Sequence, residues 1–269
     1  MPINVEPLLA HVPVWLLVLF RLTGIFIFAP VLGSRTIPGQ IKIFLALALS
    51  FCIYPMLWAP ASPSAALLRP ILESGFSSLW TLGAAVAMEL AIGLIIGFAA
   101  SLPLIGIQLG GRVMDQQMGL GLAGVLNPVF DEQTGIVSEF YFILALVLFV
   151  ILGGHRVMLA ILIGSFNSVP LGGLTPDAHL ADLLVGLLQT MYELAFRVAA
   201  PLLCIIFLET IAMGFIARTV PQMNILSIGF ALRVLIGAIA LIGAIAAQAN
   251  VFVEALHRTM QALGTFFGM

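Results

Sequence analysis

The chain has 269 residues, 62% of them hydrophobic and 8% charged, against roughly 45–50% and about 25% in an ordinary soluble domain, which excludes a water-soluble globule. Twelve acidic and ten basic side chains leave a net charge of -2, so there is no basic field to gather nucleic acid or an anionic bilayer surface. Cys52 and Cys204 sit in apolar runs with no second thiol or imidazole at ligand spacing. They are expected to be small buried hydrophobes, and neither a metal nor a cofactor is expected.

A membrane-spanning helix needs about 20 apolar residues. Six stretches approach that length: Val12 to Leu32, Ile43 to Trp58, Leu79 to Gly110, Phe140 to Phe166, Leu183 to Ile216, and Ile225 to Val253. The first carries no basic segment ahead of its apolar core, so it is expected to be retained rather than cleaved as a signal peptide. The connectors, at residues 33–38, 60–70, 115–134, 170–177 and 218–224, are rich in turn formers and too short for a soluble domain. The expected fold is an all-α integral membrane protein of about six long apolar segments, folded as kinked helices and helical hairpins in a single domain, residues 1–269. Three stretches exceed one straight crossing, and a kink or hairpin is expected at Pro103, at Gly153-Gly154 and at Pro201. Gly93 with Gly97, and Gly106 with Gly110, have the small-residue spacing that lets a neighbouring helix approach closely.

Arg21, Glu89, Arg156 beside His155, Glu193, Arg197, Glu209 and Arg233 all fall within or against these stretches. At about 3 kcal/mol each, seven charges facing lipid would cost about 20 kcal/mol, which matches or exceeds the whole stability of a domain. They must face one another, a water-filled path or another subunit. Glu193 and Arg197 are four apart with the acid first, an order that lets the pair satisfy itself on one helix. The others have no partner nearby in sequence and are candidate buried or subunit-interface charges; Arg156 and Arg233 have the alternative of snorkelling from a helix end.

Residues 110–128 (GGRVMDQQMGLGLAGVLNP) are the least expected stretch, with five glycines, two methionines and a terminal Asn-Pro. Each glycine costs a helix about 1 kcal/mol relative to alanine, so the segment is expected to bend. Two readings remain open for it: an apolar constriction that excludes water from a pore, or a connector packed on a partner. Zinc-protease, nucleophile-elbow and phosphate-loop signatures are absent, and no nucleophile, base and oxyanion site come together, so an enzyme is not expected. Intramembrane charges also fit a stand-alone secondary transporter, though the two halves of the chain show no internal symmetry.

Several short runs occur in a characteristic order: Arg21-Leu22-Thr23-Gly24, Ala29 to Pro38, Lys42 with Leu45 to Ser50, Gln117 to Gly121, Asn127-Pro128, Gly153-Gly154-His155-Arg156, Ser165-Phe166, and Ala217 to Ile225. Along nearly the entire chain this pattern resembles the FliR family of flagellar biosynthetic proteins, which has close relatives in virulence type III secretion. The resemblance implies a subunit of the flagellar type III protein export gate in the bacterial inner membrane, at the flagellar basal body. It implies assembly with FliP and FliQ, with FlhB nearby, in contact with membrane lipid and passing unfolded flagellar proteins. It further implies helical hairpins held partly above the bilayer plane. The family's pore-closing loop would fall on Gln117, Met118, Gly119, Leu120, Gly121 and Leu122, with Asn127 and Pro128 at its far end, while FliP supplies a ring of methionines. Asn127 stands where many relatives place an acid, so no charge is carried over to that position.

Overall fold

The structure is a computed structural model that describes residues 6–34, 36–58, 79–120, 135–174, 177–220 and 225–268, without the side chains of 6–10 and 225–227. The described residues form seven helices in chain order: α1 Glu6–Phe28, α2 Gly39–Trp58, α3 Leu79–Met118, α4 Ile136–Ile151, α5 Gly154–Ser168, α6 Ala178–Thr219 and α7 Ile225–Phe266. Among the described residues there is no strand. Among the described residues five helices are long and apolar enough to cross a membrane, or six if α4 and α5 count together as one. The all-α membrane fold expected from hydropathy is the fold observed.

The expected breaks resolve differently. Gly153, at φ +71, ends α4 and starts α5, a left-handed conformation that glycine adopts without steric penalty. No hairpin forms at Pro103 or Pro201, because α3 and α6 run through them as continuous helices of 40 and 42 residues. A proline removes only one backbone donor, and in a long membrane helix neighbouring polar groups or a local adjustment of the turn can satisfy the carbonyl it frees. At 1.5 Å per residue α3 is about 60 Å long, about twice the hydrocarbon thickness of a bilayer. Helix bounds also move relative to hydropathy: α3 extends to Met118 and α7 to Phe266.

The chain forms two compact units. One comprises residues 1–101, 153–187 and 259–269; the other comprises 102–152 and 188–258. In the first, Val14, Leu17, Val18, Leu22 and Ile25 make one buried face of α1, the spacing of a helix that buries a single stripe. Ile92, Ile96 and Ala99 of α3, and Met158, Leu162 and Phe166 of α5, complete that core. Against α2, Trp15 lies 5.0 Å from the Phe51 ring and His11 Nδ1 is 2.6 Å from the Tyr54 hydroxyl.

Glycine sets how close the helices come. A Cβ on Gly93 would collide with the Arg21 carbonyl, and one on Gly97 would lie 2.8 Å from the Ile25 carbonyl, so α1 and α3 touch backbone to backbone. In the second unit Gly106 and Gly110 do the same against α6, at the carbonyls of Met191 and Ala195, both at 2.8 Å. Both spaced glycine pairs therefore serve helix contacts. The surface that remains is greasy: 61% of the most apolar window of α3 is buried within the chain, but only 6% of that of α7. Cys52 and Cys204 belong to this outer surface and are exposed, contrary to the burial expected of them. An apolar run places a residue in an apolar helix, and does not say which side of the helix it occupies.

Gly93→Ala should destabilise the protein by about 1–3 kcal/mol through overpacking. Gly83→Ala, where a Cβ meets nothing within 4 Å, should be neutral or stabilising by up to about 1 kcal/mol. Thermal unfolding of the purified protein in detergent, followed by circular dichroism, checks the pair.

Candidate functional site

The glycine contact between α1 and α3 is also where the first charges meet. Arg21 and Glu89 are both fully buried, with Nε donating to Oε2 at 2.5 Å and Nη2 to Oε1 at 3.1 Å, the two-pronged geometry in which guanidinium binds carboxylate best. Arg21 also donates to the Ser165 hydroxyl at 3.0 Å and the Val169 carbonyl at 3.3 Å. The Phe166 ring centroid lies 4.2 Å from its Cζ. Glu89 accepts a further hydrogen bond from the Gly172 backbone at 2.7 Å, where the left-handed φ of +69 is one that L side chains rarely adopt. One ion pair thus ties α1, α3, α5 and the residues that follow α5.

In the second unit Arg233 donates from Nε to Glu209 at 3.1 Å and from Nη2 to the Thr210 hydroxyl at 2.9 Å. Glu209 is buried, and its Oε1 has no hydrogen-bond partner. Glu193 and Arg197 pair on one turn of α6 at 2.5 Å, as their spacing suggests, and Glu254 and Arg258 do so on α7 at the same distance. Cross-contacts of 3.7 and 4.0 Å join the two pairs into a shallow groove. All four side chains are 40–50% exposed, so each pair contributes at most about 1 kcal/mol.

Six of the seven candidate charges therefore have partners within this chain. Partners from another subunit are not needed for Glu89 or Arg233, because helices distant in sequence supply Arg21 and Glu209. Arg156 is exposed near the start of α5, beside Gly153.

The segment expected to bend is helical over its first part. Gly110 and Gly111 lie inside α3, and a Cβ on Gly111 would stand 2.6 Å from the Ser138 Cα, so tight packing explains these glycines. Gln117 is exposed, whereas Met118 is buried against Gly237 of α7. Gly119 ends the helix at φ +78 with the Phe230 ring 3.1 Å from where a Cβ would be, and Leu120 is half-buried. Gly121, Leu122, Asn127 and Pro128 lie outside the described residues.

Sequence reasoning missed Asp115. Its buried carboxylate accepts from the backbone N–H of Val137 at 3.0 Å and of Ser138 at 2.9 Å, the second and third residues of α4. The position directly before that helix is Gly135, which has no side chain to cap it. An acid at the end of one helix followed by a glycine twenty residues on was the available signal. Gln248 was missed as well; it accepts from the Tyr141 hydroxyl and donates to the Val198 carbonyl at 2.8 Å, inside the second unit. Among the described residues no group of His, Cys, Asp and Glu could hold a metal ion.

Comparison with known proteins places these features in context. The model of the family described as bacterial export proteins, family 1, matches residues 12–259. The chain is 27% identical over 233 residues to the flagellar biosynthetic protein FliR of Bacillus subtilis (strain 168), covering 86% of this chain and 85% of that one. It is 28% identical over 221 residues to FliR of Escherichia coli (strain K12), covering 81% and 79%. It is 25% identical over 240 residues to the Yop proteins translocation protein T of Yersinia pestis, covering 88% and 86%.

Glu89→Leu should destabilise the protein by about 3–5 kcal/mol, because it strands a buried guanidinium. The double variant Arg21→Met with Glu89→Leu should recover much of that loss. Denaturation midpoints of the four proteins in one double-mutant cycle check both expectations.

Proposed function

We propose that this chain, which belongs to the bacterial export proteins, family 1, is a non-enzymatic subunit of the flagellar type III protein export gate. The observation that carries the proposal is the family match over residues 12–259, together with relatives named for flagellar biosynthesis and for translocation of Yop proteins. In this reading the whole chain, 1–269, acts as one subunit, assembled with FliP and FliQ and working beside FlhB in the bacterial inner membrane. Unfolded flagellar proteins pass through the pore it helps to form. The large apolar surface left by α6 and α7, including Phe207, Leu208, Phe215, Ile239 and Ile242, supports a chain covered by lipid and by other helices.

Residues Gln117 to Leu122, at the end of α3 and beyond it, help to close the pore at rest. Gln117 is exposed there, Met118 is packed away, and Gly119 turns the chain, so closure falls to Gln117 and the residues after Met118 rather than to the Met118 thioether. Arg21 and Glu89 spend most of their hydrogen-bonding capacity on each other, which favours a structural role for this pair over that of an ion path in a stand-alone transporter.

Deleting Gln117 to Leu122 should raise ion leakage through the membrane several-fold while the subunit still assembles. Leakage, filament-protein secretion and co-extraction of partner chains in mild detergent are the measurements. Wild-type tightness together with wild-type export would remove the closing role. Purification as a lone chain competent for coupled uptake would remove the gate assignment.

A further inference from the structure

We propose that Asp115 is a positioning residue of the gate, fixing where the end of α3 presents Gln117 to Leu120 by capping α4 from a distance. This rests on the reading that those residues help to close the pore.

A helix leaves its first backbone N–H groups unpaired, and a side chain on the residue just before it normally takes the second or third. At α4 that residue is Gly135, and the cap comes instead from Asp115, whose two oxygens accept separately from Val137 and Ser138 at 3.0 and 2.9 Å. The exchange is enforced sterically, since a Cβ on Gly135 would collide with the Asp115 carboxylate. A carboxylate in the last turn of α3 opposes that helix's own dipole, whereas the positive end of α4 favours it. Asp115 is therefore placed where only the contact with α4 makes it favourable. It is also 2% exposed, so water cannot replace the bonds it makes.

The contact stands two residues before Gln117. Leu120 and Gly119 return their backbone N–H groups to the carbonyls of Asp115 and Gln116 at 3.1 Å each. Met118 is seated on Gly237 and Gly119 against Phe230. Asp115 is the buried polar side chain of this set and the one that hydrogen-bonds to α4. Without it, two N–H groups at the start of α4 lose their acceptor, and the end of α3 is held by apolar contacts alone.

The test uses the assembled export complex carrying spin labels at Gln116 and Glu139, both exposed, in backgrounds of Asp115→Ala, Asp115→Asn and Gly135→Ala. Asp115→Ala removes two charge-assisted hydrogen bonds, and the population with separated labels should rise about tenfold or more. Ion leakage should rise in parallel. Gly135→Ala should reproduce both effects with Asp115 intact, and Asp115→Asn, which keeps one oxygen acceptor, should give smaller ones. A wild-type label separation in Asp115→Ala and Gly135→Ala would overturn the clamp. Separated labels with wild-type leakage, in a complex that leaks when Gln117 to Leu122 are deleted, would overturn the positioning role and leave the pore reading standing. If that deletion itself does not leak, the pore-closing reading fails, and the labels alone decide the clamp. Should Asp115→Ala fail to accumulate, Asp115→Asn and Gly135→Ala carry the same comparison.

Discussion

Burying an ion among apolar helices is tolerable only if its opposite is buried with it, in contact and with the remaining hydrogen-bonding groups met. Arg21 and Glu89 meet that condition fully, with Ser165, the Val169 carbonyl and the Gly172 N–H completing the set. The glycines around them make this possible. Gly93 lies one helical turn after Glu89 and meets the carbonyl of Arg21 itself, so the crossing that brings the backbones together also closes the pair off from water. Charge and close packing are one feature at this crossing.

The same logic with less completeness holds in the second unit. Glu209 keeps one oxygen unpaired while Arg233 stays partly exposed, and the Glu193, Arg197, Glu254 and Arg258 array is open to its surroundings. The ionic groups therefore form a graded series, from a sealed pair that fixes the fold to open pairs that add little to stability. The surface around the open ones is apolar, so what surrounds the protein is suited to hydrocarbon or to other apolar helices.

Helix content, the long apolar segments and the helix contacts at Gly93, Gly97, Gly106 and Gly110 were legible in the sequence, because hydropathy and residue size act locally. So was the Glu193–Arg197 pair, which needs only one helical turn. The partners of Arg21, Glu89, Glu209 and Arg233 were not legible, since they come together across 68 and 24 positions and nothing local marks which acid meets which base. The first two glycines of the glycine-rich stretch misled for a related reason. Propensity reads Gly110 and Gly111 as helix breakers, while the chain places them in α3 because α6 and Ser138 pass too close for any side chain. Proline misled in the same sense at Pro103 and Pro201, where no hairpin interrupts α3 or α6. Asp115 escaped notice because its role is defined by what Gly135 lacks.

That last relation bears on how such a chain can change over time. A serine or aspartate at position 135 would cap α4 locally, yet it would occupy the space that the Asp115 carboxylate fills. The two arrangements exclude each other, and a lineage moving from one to the other by single substitutions must pass through a form in which the helix start has no cap or two groups overlap. Such a valley tends to freeze both positions together, so drift at one is expected to be visible only alongside drift at the other.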